Sequence, residues 1–577
     1  MVFSRRGFIV THRRILAALA VLVTLGAQVA AQTPSGAYLA ARHARAQGDV
    51  AAAAQYYAQV LTRDPGNPAI LENAAFAYMA LGQTDRAAAV ARKLEAEGAK
   101  SHAAQIPLIV EAVRNEDWDG LIARIEAGRG AGDLADGMIA AWAEIGRGDM
   151  SAALARIDAV AGERGMRGFS LYHKALALAV AGDFEAADAV FSGESDGPVQ
   201  RTRSSVLAWV QVLSQLGETE RALAILDDSF GTEPGPEVAA LRARLEAGET
   251  VPFTLVEGPR DGVAEVFLSL ARALRQDADN EFVLIYGRAA EAIDPGRVHA
   301  TIIAAETLQS MRQYKLAIAA FASVPRDHPA FYTAELGRAE ALRATGKPDA
   351  AAEVLAQLAA RFPDIVEIHV AAGDLHREQE EYEAAIAAYD RAIALLEARD
   401  TPNWFVRYVR GIAHERLDNW PEAEADFRRA LELNPDHPQV LNYLGYTMVE
   451  KGMNLDEALG MIERAVAAQP DSGYIVDSLG WVLYRLGRYD EAIGHMEHAA
   501  ELMPTDPVVN DHLGDVLWAV GRETEARFQW RRALSLHKTT PSPDLDPERV
   551  RRKLEVGLDK VLREEGADPL RVVDDGG

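Results

Sequence analysis

The chain has 577 residues, 49% of them hydrophobic but only 7% aromatic, and a formal charge of −26. It contains no cysteine, which excludes disulfides, thiolate metal sites and cysteine nucleophiles together. So acidic a chain repels phosphate backbones and anionic lipid surfaces, which argues against nucleic acid as a partner. Its abundant alanine favours helices.

Arg5, Arg6, Arg13 and Arg14, an apolar run from Ile15 to Leu25, and Val29-Ala30-Ala31 before Gln32 follow the order of a secretory signal peptide over residues 1–31. The run is too short for a stable transmembrane span. The expected product is a soluble periplasmic protein, or a membrane-anchored one if the leader stays uncleaved. Ser4-Arg5-Arg6-Gly7-Phe8-Ile9 also resembles a twin-arginine export motif, but the second arginine pair interrupts it and favours ordinary secretion. Removal of the four leader arginines takes the charge from −26 to −30.

From residue 34 to 246 one pattern recurs. Gly48 and Gly82 stand 34 residues apart, each followed five residues later by an alanine, Ala53 or Ala87. The pattern weakens where Glu116 replaces the glycine, although Trp118 and Leu121 keep its phase, and Gly148, Gly182 and Gly217 restore it. Residues 247–262, with V-P-F-T-L-V between Gly248, Pro259 and Gly262, suit an extended segment. They read equally as a linker between two halves and as a loop within one array.

Repeats resume over 263–538, less regular at first and strongest from Trp404 to Leu536. Gly411, Gly445, Gly480 and Gly514 are separated by 34, 35 and 34 residues. Gly452, Gly487 and Gly521 supply left-handed caps to first helices, and Pro435, Pro470 and Pro504 stop second helices. Tyr314, Tyr382, Trp420 and Tyr489 open second helices as core residues. Ala458, Ala492 and Ala526, then Ala465, Ala499 and Ala533, keep facing helices close. Val550, Leu554, Leu558 and Val561 then recur at helical spacing, as expected of a capping helix over 543–565, before a polar tail, 566–577.

Catalytic and cofactor patterns are poor. Gly128-Arg129-Gly130-Ala131-Gly132 follows no strand and has the wrong spacing for a phosphate loop, and His495, Glu497 and His498 lack a third ligand. The reading is of a non-enzyme without metal or cofactor.

The 34-residue period and its glycine, alanine and proline marks closely resemble the tetratricopeptide repeat (TPR) family. The resemblance implies an all-α solenoid, a right-handed superhelix whose first helices line a concave, protein-binding face. Carried onto that family's inward positions, the last four repeats present Tyr408, Asn442, Tyr446, Tyr474, Asp477, Trp481, Tyr484, Arg485, Asp511, Asp515 and Trp518. Family members that clamp a C-terminal carboxylate use Lys and Asn there. Asp477 and Asp511 would repel such a ligand, and a basic or neutral segment fits better.

The phrases W-F-V-R-Y-V-R-G-I, V-L-N-Y-L-G-Y and Y-I-V-D-S-L-G-W are similar to those of secreted or lipid-anchored bacterial TPR proteins, including adaptors of carboxy-terminal processing proteases. That likeness implies a periplasmic scaffold for envelope proteins. The lipid-bearing cysteine of such adaptors is missing here. A part in exopolysaccharide export or outer-membrane assembly is the alternative, and a peptidoglycan hydrolase a remote third.

Overall fold

The computed structural model describes residues 34–195, 197–231, 235–275, 279–567 and 570. The expected signal peptide and the end of the tail lie outside them. Among the described residues there are 31 helices and no strand, and no helix is long and apolar enough to cross a membrane.

The helices start and stop where local chemistry dictates. Asp49, Asp117, Asp149 and Asp183 cap second helices, each accepting a hydrogen bond from a backbone N–H three residues on at 2.9–3.1 Å. Such a cap contributes about 1 kcal/mol. The residue before each cap is left-handed: Gly48, Gly148 and Gly182 have φ of 69°, 82° and 83°. Glu116 sits in the same conformation at φ 55°, as do Arg312, Glu380 and Asp418 at 59–61°. Where the glycine is missing, the turn is kept and the backbone bears the strain.

The recurring spacing between glycines has a packing cause. An added Cβ on Gly411, Gly480 or Gly514 would lie 2.7, 2.3 or 2.4 Å from Phe427, Met496 or Trp530, each on the partner helix of the same hairpin. The alanines Ala458, Ala465, Ala492, Ala499, Ala526 and Ala533 are all fully buried. Small residues therefore set the hairpin spacing and the large side chains fill it.

The chain forms two compact units, 1–363 and 364–577. This differs from a division at 247–262, which lies inside the first unit. Residues 251–256 are neither helix nor strand, with a bend at Leu255, and they are fastened along helix Arg203–Gln215. The Val251 N–H donates to Ser214 Oγ at 2.8 Å, Gln215 Nε2 donates to the Val251 carbonyl at 2.7 Å, and the Thr254 N–H donates to Gln211 Oε1 at 3.0 Å. Val251 and Val256 are buried.

Within the first unit the array closes on itself. Helices Pro259–Ala273 and Asn280–Ile293 pack against the first helices of early repeats, Pro68–Ala80, His102–Arg114 and Asp133–Gly146. Gly262 lies so close to the fully buried Trp142 that a Cβ would be 2.1 Å from its ring. Arg45 pairs with Glu281 at 2.8 Å, and Arg288 donates to the Ala80 carbonyl at 3.3 Å. The early first helices are apolar almost all round, as A-I-L-E-N-A-A-F-A-Y-M-A shows, which requires a neighbour on every side.

The second unit stacks five hairpins: Val366–Glu378 with Tyr382–Ala398, Trp404–Arg416 with Trp420–Leu433, Pro438–Glu450 with Leu455–Ala468, Gly473–Arg485 with Tyr489–Leu502, and Pro507–Ala519 with Glu523–Thr539. The expected single capping helix is two, Pro547–Val556 and Leu558–Glu564, broken at Gly557 (φ 82°). Val550, Leu558 and Val561 are buried, as a cap requires, and Leu554 packs at its margin.

Candidate functional site

The first helices of four successive hairpins in the second unit, with residues 542–544, enclose an open cavity of ≈ 500 Å³. Tyr443, Tyr446 and Tyr474 give it aromatic surface. Five carboxylates line it, Glu415, Glu450, Asp477, Asp506 and Asp544, against the single guanidinium of Arg416.

Most of these carboxylates are held in place. Tyr443 donates its hydroxyl to Glu415 at 3.2 Å, Trp481 Nε1 donates to Glu450 at 2.6 Å, and Asp506 caps the helix at Val508 and Val509. Asp477 lies 3.0 Å from His512 Nδ1. Burial opposes a charge on that imidazole, but Asp477, with Asp511 and Asp515 behind it, outweighs burial and raises its pKa. Asp544 is exposed, and its carboxylate has no hydrogen-bond or ion-pair partner among the described residues. Burial, then the nearby Glu450, Asp477 and Asp544, keep the Tyr446 hydroxyl protonated well past its usual range. It remains a donor facing acceptors.

The inward positions inferred from the repeat pattern divide into three groups. Asn442, Tyr446, Tyr474 and Asp477 line the cavity, Tyr474 being 63% exposed, and Arg485 stands exposed at its rim, 3.7 Å from Glu450. Tyr408, Trp481 and Tyr484 pack between repeats instead. Tyr408 meets Phe427 and Tyr443, and Trp481 stacks on Tyr484 and His512 at centroid distances of 4.9 and 4.0 Å. Rings this size at a repeat junction bury more apolar area against each other than a partner would supply.

The remaining three, Asp511, Asp515 and Trp518, are covered by the chain itself. Lys553 of the cap is fully buried with its Nζ 2.8 Å from Asp511 Oδ2 and 2.7 Å from Asp515 Oδ1. Trp518 donates Nε1 to Asp559 at 2.9 Å and lies against Gly557. These three face the cap rather than a partner, because the last hairpin has no following repeat to cover it.

Glu415, Tyr443 and Asp544 belong to the cavity although the inward positions omit them. Tyr443 had a visible signal, adjoining Asn442 on the same helix. Asp544 had none, since only the chain's return across the repeats brings it there.

The first unit has a cleft of ≈ 480 Å³ lined by Arg203, Glu237, Glu265, Arg272, Arg297 and His299 among others. Several of its charges are paired within the chain. Glu265 is buried between Arg297 at 2.7 Å and Arg272 at 3.7 Å and accepts from Tyr172 and Ser269 at 3.0 and 3.1 Å, while Arg203 pairs with Glu237 at 2.8 Å. Burial would raise the Glu265 pKa, but Arg297 and Arg272 prevail and lower it. Among the described residues no group of three or more His, Cys, Asp or Glu could hold a metal.

Residues 44–106, 304–356, 336–400, 404–437 and 476–506 each match a tetratricopeptide repeat family model. A TPR repeat-containing protein of Pseudomonas aeruginosa is 28% identical over 159 residues, 27% of this chain and 26% of that relative. The match thus spans about a quarter of the relative's length. Among solved structures, Cut9 in the APC/C Cut9–Hcn1 hetero-tetramer aligns over 91% of this chain and 96% of its own at 16% identity and TM-score 0.38. Yeast Tom70 aligns over 92% and 96% at 14% identity and TM-score 0.28. YrrB, described as a TPR protein with an unusual peptide-binding site, aligns over 32% and 94% at 20% identity and TM-score 0.27. Five stretches of this all-helical chain thus match tetratricopeptide repeat models.

Proposed function

We propose that the protein is a non-enzymatic scaffold of the bacterial envelope that docks other envelope proteins in the groove of its second unit. The observation that carries this reading is the open wall of Tyr446, Tyr474 and Asp477 on consecutive first helices. A peptide or helix laid there meets aromatic area at small entropic cost and carboxylates already oriented by Trp481 and His512. The leader-like residues 1–31 support export to the periplasm, and the likeness of the repeat phrases to protease adaptors suggests a processing protease and its substrates as cargo.

The test has two arms. Fusing residues 1–31 to a reporter active only outside the cytoplasm should give activity; a silent reporter would remove the envelope from the reading. Affinity capture with the mature chain from envelope extracts should recover a defined partner that is lost or depleted with Tyr474→Ala. Equal recovery by wild type, Tyr474→Ala and a charge-matched control protein would overturn the docking role.

A further inference from the structure

The groove's chemistry can be read more narrowly because the chain occupies the adjoining repeat with a ligand of its own. Asp477 and Asp511 hold the same place in successive repeats, three residues before Gly480 and Gly514. In the last repeat Asp511 and Asp515 receive Lys553, whose Nζ also lies 5.9 Å from the Trp530 ring centroid, and Arg549 stands 3.7 Å from Asp515. The cap thus shows what these inward acids take: a cationic side chain on a helix, its ammonium between carboxylates and close to an aromatic face.

One repeat earlier no lysine among the described residues lies across the same position: Asp477, 6% exposed and 3.0 Å from His512, forms part of the cavity wall. Asp477 faces the cavity with Glu450 and Asp544, and Tyr443, Tyr446 and Tyr474 supply the rings. The carboxylates are spread over four helices and the 542–544 segment rather than gathered on a point, an arrangement suited to a side chain with a long stem. An anionic segment would meet the wrong sign over most of the wall, Arg416 and Arg485 apart.

We propose that this groove receives a segment of a partner protein bearing lysine or arginine, the cationic head among Glu450, Asp477 and Asp544 and its stem against Tyr446 and Tyr474. This rests on the docking role proposed above and specifies its ligand. Ammonium and guanidinium groups both gain from carboxylates and from ring faces. Arginine holds the advantage where two carboxylates can be bridged.

The experiment uses the full mature chain and three dye-labelled 12-residue peptides of one glycine–serine–leucine background carrying three arginines, three glutamines or three glutamates, read by fluorescence anisotropy. The arginine peptide should bind at least tenfold tighter than the glutamine peptide, and the glutamate peptide weakest. Asp544→Lys, on an exposed side chain with no partner to lose, should weaken the arginine peptide about tenfold, and Tyr474→Ala about threefold or more. Glu383→Lys, exposed on an outer helix, should change nothing, and circular dichroism should show all three variants folded. Equal binding of the arginine and glutamine peptides, or equal effects of Asp544→Lys and Glu383→Lys, would overturn the assignment.

Selection of a random 12-residue display library on the same chain separates the two readings. Enriched sequences that need Tyr474 and are rich in Lys or Arg support the assignment. Enriched sequences that need Tyr474 but lack basic residues would overturn it and leave the docking groove standing; no sequence needing Tyr474 would overturn the groove itself.

Discussion

In the first unit the inner wall of the early repeats is covered by the chain's own helices 259–273 and 280–293, whereas in the second the first helices of successive hairpins and the segment at 542–544 leave a cavity open. The hairpin is the same in both. What differs is the chemistry of its first helix: apolar but for Glu144 in M-I-A-A-W-A-E-I, asparagine- and tyrosine-bearing in L-N-Y-L-G-Y. A repeat array therefore does not declare a binding face by its period; the polarity of the inward side chains decides whether the wall is core or surface.

Removing the buried charge on helix 259–273 is the most severe way to break this contrast. Glu265→Ala would leave the buried Arg297 with only Asp294, at 3.3 Å, as an ion-pair partner, a loss of about 3 kcal/mol. Chemical denaturation followed by segment-resolved hydrogen exchange should show the loss in residues 34–363, with 364–577 unaffected.

Acidity should separate the units next. His173 is fully buried among Phe169, Tyr172 and Trp142 and accepts a hydrogen bond at Nδ1 from Trp142 Nε1 at 3.1 Å, so the folded state holds it neutral. Burial lowers its pKa to about 4. A folded pKa below the unfolded one means that the stabilisation is complete above pH 6.5 and is lost as pH falls through about 4, on the order of 3 kcal/mol at 1.36 kcal/mol per unit. His512 has the opposite sign. Its folded pKa is raised, so its contribution is present below the unfolded value and lost as pH rises through the folded one. Hydrogen exchange between pH 7.5 and 5 should weaken the first unit while the His512 contribution to the second grows. Parallel behaviour in both units would contradict the two environments.

Two packing changes are milder. Gly480→Leu must displace Met496, whose Sδ would lie 2.3 Å from a new Cβ, at a cost of about 1–3 kcal/mol. It should lower the thermal midpoint of the second unit alone. Glu116→Gly, which keeps the left-handed turn and relieves the side-chain strain, should stabilise the first unit by about 0.5–1 kcal/mol. Asp418→Gly should do the same in the second. A destabilised Glu116→Gly would mean that the side chain, not the turn, is what matters there.

The repeat period, hairpin boundaries and glycine contacts were legible in the sequence because each is written within about 35 residues. The capping turn at Glu116 was legible too, as a gap in a pattern whose geometry did not lapse. Half of the inward wall was not. Asp511 and Trp518 look like ligand contacts until Lys553 and Asp559 are brought to them, some 40 residues downstream. The role of 247–262 was open for the same reason, because its backbone is anchored by Gln211, Ser214 and Gln215, not by its neighbours.

The pairing of Arg45 with Glu281 joins positions 236 residues apart. Made from the amino end, the early hairpins therefore wait through most of the first unit's synthesis before their apolar stripe meets its permanent cover, a late closure that slows folding and leaves greasy surface exposed in the interim. Until residues 280–293 are in place, that stripe lacks the cover it has in the finished unit.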